Sequence, residues 1–386
     1  ADPLQRLFAA RGNKQPDLYA FDPVALGWEP KAPWPNGTEA KPPSKGATST
    51  PYPDPTGKLY VLKGNNTLGF WSYDVNADSW KQLADIPQGT GKKIKGGSDL
   101  VYHDGKVYCL KGITNEFLAY DVASDSWQAL PAVPAPNPKF DKGSWLCLDE
   151  AAGKVYCHQA KYHAFYAYDI AGGTWGAALK GMPTINSLGK KKKSKDGGSG
   201  TFRNDNIFAF KGGNTCEFWK YAINGDSWSE LTEIPLTGLS GAKKKVKGGG
   251  DLVALNPQPN PLIYALKGNK TNEIWKYESF AALSINPRAA RSGVMAVTTD
   301  NRRLSLSVSP NPLATGFATL SYNLPQPGAA TVHVYDAAGR AVLVRSLAVG
   351  RTGQVGLDLR SLSAGVYLVK LSTESLTATH KLVVER

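Results

Sequence analysis

The chain has 386 residues and a formal net charge of +13, with 40 Gly, 26 Pro and 10 Trp but only 2 Met. That length suits one large or two ordinary domains, and plentiful Gly, Pro and aromatic residues suit short strands joined by tight turns. No apolar run reaches the roughly 18 residues of a spanning helix, so no transmembrane segment is expected. The charge divides into +7 over residues 1–287, mostly Lys, and +4 over residues 300–386, mostly Arg, which marks two modules. The opening Ala1-Asp2-Pro3 reads as a mature form or a fragment.

A period near 50 residues runs through the first module. Trp28, Trp80, Trp127, Trp175 and Trp228 are spaced by 52, 47, 48 and 53 residues. Each follows by seven residues an aromatic that usually precedes Asp, as in Tyr73-Asp74, Tyr120-Asp121 and Tyr168-Asp169. A sixth aromatic strand, Ile274–Tyr277, has no Trp after it. Upstream of each lies a strand ending in glycine or its equivalent: Phe8–Gly12, Tyr60–Gly64, Tyr108–Gly112, Tyr156–Ala160, Phe208–Gly212 and Tyr264–Gly268. Within a unit a Gly-led apolar segment comes first, then a turn, two further strands and the Trp strand, closed by a proline such as Pro87 or Pro134. These are four short strands per unit, and no helical period appears before residue 280.

The Tyr-Asp pair, the Trp seven residues later and the glycine after the second strand together resemble the kelch family. The resemblance covers roughly residues 5–280. It departs from the kelch pattern where Lys-Gly replaces the usual glycine pair, at Lys63-Gly64, Lys111-Gly112, Lys211-Gly212 and Lys267-Gly268. It implies an all-β chain whose residues 1–285 form a six-bladed β-propeller, each blade a four-stranded antiparallel sheet. The first unit lacks its innermost strand. Residues 286–303 read as a linker, with Arg291–Val297 as the alternative, a ring-closing first strand.

Residues 304–386 change character. Leu304–Pro312 alternates as a strand, Thr331–Asp336 with Gly339-Arg340 reads as strand and turn, and Leu357–Leu371 is followed by His380–Val384. Several strands in so short a stretch suggest a small immunoglobulin-like β-sandwich. Ser309-Pro-Asn-Pro312, Val334–Arg340, Gly365-Val-Tyr367 and the terminal Lys381-Leu-Val-Val384 resemble the C-terminal sorting domain of the type IX secretion system. That resemblance implies the type IX export machinery as a partner and a bacterial protein that is secreted or attached to the outer surface.

In a four-stranded blade, the loop leading into strand one and the loop joining strands two and three lie on one face. The basic residues occupy both. Lead-in loops carry Lys41 and Lys45, Lys92 to Lys95, Lys139 and Lys142, Lys190 to Lys195, and Lys243 to Lys247; second loops begin at Lys63, Lys111, Lys211 and Lys267. The expectation is one basic face whose ligand-binding residues are Lys63, Lys95, Lys111, Lys142, Lys195, Lys211, Lys247 and Lys267. Lysine supplies point charges, which suits a repeated polyanion better than one small carboxylate. The competing reading pairs Lys111 with Glu116 or Asp99, Lys211 with Glu217, and Lys267 with Glu273 or Asp251.

Other chemistry is thinly marked. Cys109, Cys147, Cys157 and Cys216 form no Cys-x-x-Cys signature; buried free thiols are expected, with a Cys147–Cys157 disulfide as the alternative. His158 and His163 are a poor metal pair, and no cofactor is expected. No nucleophile elbow or phosphate-binding loop appears. The leading expectation is a non-enzymatic exported protein that binds an anionic polysaccharide or other polyanion. Nucleic acid is the weaker ligand, because the aromatics needed for stacking are committed to blade packing. A protein-interaction scaffold and a glycan-active enzyme with carboxylates in the channel are the alternatives.

Overall fold

The computed structural model describes residues 6–23, 27–89, 93–238, 241–255, 262–278, 294–296, 305–311, 313, 316–323, 328–336, 340–349, 352–373 and 377–385. Two compact units divide the chain, the boundary falling after Val297. Both are all-β, and among the described residues the helical content is one turn of 3-10 helix, Ile223–Gly225.

The first unit holds six consecutive antiparallel sheets among the described residues. Sheet one is β1 (Leu7–Ala10), β2 (Leu18–Asp22) and β3 (Gly27–Lys31). Sheet two is β4 (Thr48–Ser49), β5 (Lys58–Leu62), β6 (Phe70–Asp74) and β7 (Ser79–Gln82). Sheet three is β8 (Asp99–His103), β9 (Lys106–Leu110), β10 (Phe117–Asp121) and β11 (Ser126–Leu130). Sheet four is β12 (Trp145–Asp149), β13 (Lys154–His158), β14 (Phe165–Asp169) and β15 (Thr174–Trp175). Sheet five is β16 (Ser199–Arg203), β17 (Asn206–Phe210), β18 (Phe218–Ala222) and β19 (Ser227–Leu231). Sheet six is β20 (Gly250–Ala254), β21 (Leu262–Lys267), β22 (Ile274–Glu278) and β23 (Val294–Ala296).

The first strands line up side by side, β4 against β8, β8 against β12, β12 against β16 and β16 against β20. The last sheet meets the first through Phe21 and Tyr264, ring centroids 6.3 Å apart. The sheets therefore close on themselves in a propeller-like arrangement. Sheet one has no first strand among the described residues, and β1 is its inner edge. Val294–Ala296 supplies neither that strand nor a plain linker segment. It pairs with Trp275–Tyr277 on the outer edge of sheet six, the edge left open because no Trp strand follows Tyr277.

The Tyr-Asp-Trp pattern is a clamp between neighbouring sheets. In sheet three the Tyr120 hydroxyl donates to Asp125 Oδ1 at 2.6 Å, and the same oxygen accepts from Ala84 N at 2.8 Å. Trp127 Nε1 donates to Ala84 O at 2.9 Å. Both polar groups of the Ala84 residue are thus satisfied by side chains of the next repeat, as buried or half-buried backbone requires. Ala32 and Lys180 are gripped the same way by Asp78 with Trp80 and by Asp226 with Trp228. Sheet four departs in two linked ways. Its gripped residue is Pro131, which has no N–H, and Gly173 stands where the carboxylate would be; only the Trp175 Nε1 to Pro131 O bond remains, at 2.8 Å.

The second unit packs β24 (Ser305–Ser309), β25 (Phe317–Asn323) and β28 (Thr352–Asp358) in one sheet. The other holds β26 (Gly328–Tyr335), β27 (Ala341–Val349), β29 (Gly365–Ser372) and β30 (Thr377–Val384). Alternate residues such as Val308, Leu320, Val332, Val334, Val369 and Leu382 share one core. Asn311 Oδ1 accepts from Val383 N at 2.9 Å, which ties the Ser-Pro-Asn-Pro stretch to the last strand.

Candidate anion-binding face

The two sets of lysines expected on the face part company in the structure. Lys63, Lys111, Lys211 and Lys267 are 0–2% exposed. Each follows or ends the second strand of its sheet, and the two-residue alternation of a strand turns it inward. Lys111 Nζ donates to Pro87 O at 3.2 Å and Gln88 O at 2.5 Å, and pairs with Glu116 Oε2 at 2.9 Å. Lys267 Nζ donates to Leu236 O at 3.3 Å, pairs with Glu273 Oε2 at 3.6 Å and lies 4.4 Å from the Trp275 ring centroid. Lys211 pairs with Glu217 and lies 4.7 Å over Trp219. Lys63 donates to the carbonyls of Asn36 and Glu39. Lys63, Lys111 and Lys267 hold down the lead-in loop of their own sheet, which leaves no route from these four ammonium groups to an external polymer. They are corrected from ligand-binding to structural residues.

Sheet four tests that reading within the same chain. Gln159 stands in the lysine position, and Ala164 stands where Glu116, Glu217 and Glu273 stand elsewhere. Both charges are absent together here, so neither is buried without the other; in sheet two, by contrast, Lys63 stands opposite Gly69 and is met by carbonyls alone. Gln159 Nε2 still donates to the lead-in carbonyls of Asn137 and Lys139, at 2.6 and 3.1 Å.

The other lysines stand outside. Five turns ring the mouth of the channel: Ser44–Ala47, Lys95–Ser98, Asp141–Ser144, Lys195–Gly198 and Lys247–Gly250. Each is closed by an N–H to carbonyl bond between its end residues. The third residue is Gly46, Gly97, Gly143, Gly197 or Gly249, with φ between +83° and +100°. Positive φ is one reason for glycine, and close packing is the other. A Cβ on Gly46 would lie 2.2 Å from Lys95 O, and on Gly143 1.9 Å from Lys195 O, so each turn seats on the next. Gly249 is the exception, with nothing nearer than 3.6 Å; among the described residues sheet one has no first-strand turn to seat against it. Lys45, Lys95, Lys195 and Lys247 are exposed at these turns and Lys142 is half-buried. Of the two acids in the same ring, Asp141 is paired with Lys161 and Asp196 is half-buried.

The lead-in loops of sheets five and six extend this ring. Ile185 bridges to Lys191, and Thr237 bridges to Lys243, so each loop doubles back as a short hairpin before its turn. Lys190 to Lys193 and Lys195 are exposed on the first; Lys243, Lys245 and Lys247 are exposed on the second, with Lys244 half-buried. The sequence contains the hairpin signal in Asn186-Ser-Leu-Gly189 and Gly238-Leu-Ser-Gly241 ahead of the lysine runs, and Lys45 lies in the sheet-two turn equivalent to the one that Lys95 opens in sheet three; neither the hairpins nor Lys45 belongs to the set of eight expected residues.

The channel wall is acidic and already bonded. Asp99 accepts from Thr48 Oγ1 at 2.7 Å and Leu100 N at 3.0 Å through Oδ1, and from Leu146 N at 2.8 Å through Oδ2. It thereby ties three neighbouring first strands, and burial pushes its pKa up to about 7. Asp251 accepts from Ser199 Oγ at 2.6 Å and Leu252 N at 2.9 Å. At the far end, the Tyr52 hydroxyl crosses from sheet two to donate to Ala254 O in sheet six.

All four cysteines are free and buried. Cys147 registers with Tyr156 and Cys157 with Leu146, so the two sulfurs leave the sheet on opposite faces and the disulfide alternative fails on register. His158 is fully buried, stacked on Trp145 with centroids 5.1 Å apart, and burial drives its pKa well below the ordinary value. His163 Nε2 accepts from Ser194 N at 3.1 Å, which anchors the lead-in loop of sheet five.

Comparison with known proteins fits this division. The fold of the first unit is shared with the solved structure of YjhT, at a TM-score of 0.51 and 15% identity over 72% of this chain and 93% of that one. A structural genomics protein of unknown function from Bacteroides thetaiotaomicron is more distant, at a TM-score of 0.45 and 11% identity over 66% of this chain and 65% of that one. The class defined is thus an all-β chain with a propeller-like first unit. Residues 307–385 match the secretion system C-terminal sorting domain family. No curated protein matches the chain. The protein carries a type IX sorting domain, which makes it secreted or attached to the bacterial outer surface and a client of that export machinery. Among the described residues no helix is long and apolar enough to cross a membrane.

Proposed function

We propose that the protein is a non-enzymatic, exported binding protein. In this reading the first unit is a six-bladed, kelch-like β-propeller, the tail is an immunoglobulin-like sandwich, and the turn face binds an anionic polysaccharide or other polyanion. The observation that carries the reading is the recurrence of exposed lysines, Lys45, Lys95, Lys195 and Lys247, at equivalent turns around one mouth. Convergent charge of one sign concentrates anionic partners there. The propeller's aromatics support a sugar polymer over nucleic acid, because rings such as Tyr60, Phe70 and Tyr120 pack on one another, stacked or edge-on, between sheets and are unavailable to bases. Of the channel carboxylates, Asp99 has both oxygens engaged by backbone and hydroxyl donors, and Asp251 has Oδ1 engaged in the same way, which favours stapling over acid–base work.

Retention on immobilised heparin tests the reading. Binding through several lysines is strong at about 50 mM salt and falls steeply as salt rises. Replacing Lys95, Lys195 and Lys247 together with Ser is expected to shift elution to markedly lower salt. A wild-type protein that passes through heparin unretained at about 50 mM salt ends the proposal.

A further inference from the structure

The basic face is also where the first unit exposes its large apolar side chains. Outside the tail, the large hydrophobics that stand exposed among the described residues are Trp28, Tyr162, Ile185, Leu188 and Leu236, at 38–70%. Three of these five belong to the loops that carry the densest lysine runs, and a fourth, Tyr162, lies on the loop between β13 and β14. Ile185 and Leu188 sit on the hairpin that leads to Lys190–Lys195, and Leu236 sits on the hairpin that leads to Lys243–Lys247. Tyr162 adjoins Lys161, whose N–H donates to Ser194 O at 2.9 Å, so its loop is seated on the first hairpin.

The first hairpin is built to hold its tip out. Asn186 is buried, and its Oδ1 accepts from Leu188 N at 3.1 Å and Lys190 N at 2.8 Å. Gly189 N closes the turn on Asn186 O at 2.9 Å, and Ser187 N is held by Glu230 Oε2 at 2.6 Å. Leu188 therefore projects from a fully hydrogen-bonded turn with 70% of its surface in water. A soluble polyanion gives no return for that exposure. A surface with phosphate outside and hydrocarbon beneath does, since apolar tips enter the acyl boundary while neighbouring lysines meet the headgroups.

We propose that the hairpins of sheets five and six, with Tyr162, form a docking patch for an anionic lipid surface. The apolar contacts are Ile185, Leu188, Leu236 and Tyr162, and the headgroup contacts are Lys190–Lys193, Lys195, Lys243, Lys245 and Lys247. This deepens the polyanion reading and rests on it. It differs in demanding the apolar residues as well as the charge.

The test is co-sedimentation of the full chain with phosphatidylcholine vesicles, with and without phosphatidylglycerol, at about 150 mM salt, run beside heparin retention. The protein is expected to pellet only with the mixed vesicles. The Ile185→Ser, Leu188→Ser double variant is expected to lose about tenfold or more in vesicle affinity while eluting from heparin as the wild type does. Both side chains are exposed, so its melting temperature should not move; Leu236→Ser gives an independent check on the second hairpin. A wild type that binds heparin but never pellets, or a double variant that pellets undiminished, overturns the lipid patch and leaves the polyanion reading standing. Failure on both heparin and vesicles overturns the two together.

Discussion

Lysines of one face meet opposite fates within a single sheet. Lys247 at the turn into sheet six is exposed, while Lys267 at the end of the second strand of the same sheet is wholly buried. Lys247 N even donates to Lys267 O at 3.1 Å, so the two backbones touch while the ammonium groups part. The buried set spends its charge inside, on Glu116, Glu217, Glu273 and lead-in carbonyls. The exposed set leaves its ammonium groups in solvent. A run of lysines along a sequence is therefore two structural classes, and only one of them can bind.

The largest expected effect follows from the buried set. Glu217→Ala leaves Lys211 uncompensated at 0% exposure, and breaking such a pair typically costs about 3–5 kcal/mol. Denaturant midpoints should show that loss, and the Lys211→Met, Glu217→Leu double variant should recover most of it with heparin elution unchanged. If the double variant instead lost heparin binding at full stability, the division into two classes would collapse.

A smaller effect separates the acidic wall from the basic face. The folded pKa of Asp99 is raised to about 7 by burial, against about 3.9 when unfolded. Between these values the unfolded chain has released the proton and the folded one retains it. Stability should therefore fall as pH rises from about 4 to about 7, by on the order of a few kcal/mol at most, and then level off. Asp99→Asn should flatten that slope in thermal melts taken across this range.

Smaller again is the loss of one clamp. Asp125→Gly copies sheet four into sheet three at a position whose φ is +49°. It strips the acceptor from Ala84 N and the Tyr120 hydroxyl, a loss of about 1–2 kcal/mol in chemical denaturation. The smallest stability effect belongs to the exposed set. Lys95→Ser should change stability by no more than about 0.5 kcal/mol, while still lowering the salt at which the protein leaves heparin.

Much of the fold was legible in the chain. The Trp period located five of the six sheets and the aromatic strand Ile274–Tyr277 located the sixth. The tail's motif order located the sorting domain. The last strand of sheet six was not legible, since Val294-Met-Ala296 is too short to carry a pattern and its partner edge is defined by a missing Trp strand. Half of the candidate site was misread for a related reason. Lys-Gly recurs as visibly as any surface motif, and recurrence does not distinguish a repeated ligand contact from a repeated staple.

By itself, then, the sequence determined the repeat, its turns and the positions of the lysines, because these depend on local chemistry with a fixed period. It also held the sign that Lys and Glu are lost together at Gln159 and Ala164. The tertiary structure decided which way each lysine points. Burial of Lys63, Lys111 and Lys267 depends on carbonyls 23 to 31 residues upstream that only folding brings within reach. It decided, too, that Ile185, Leu188, Leu236 and Tyr162 share the face of the exposed lysines, because the loops that carry them meet only when the sheets are stacked around the channel.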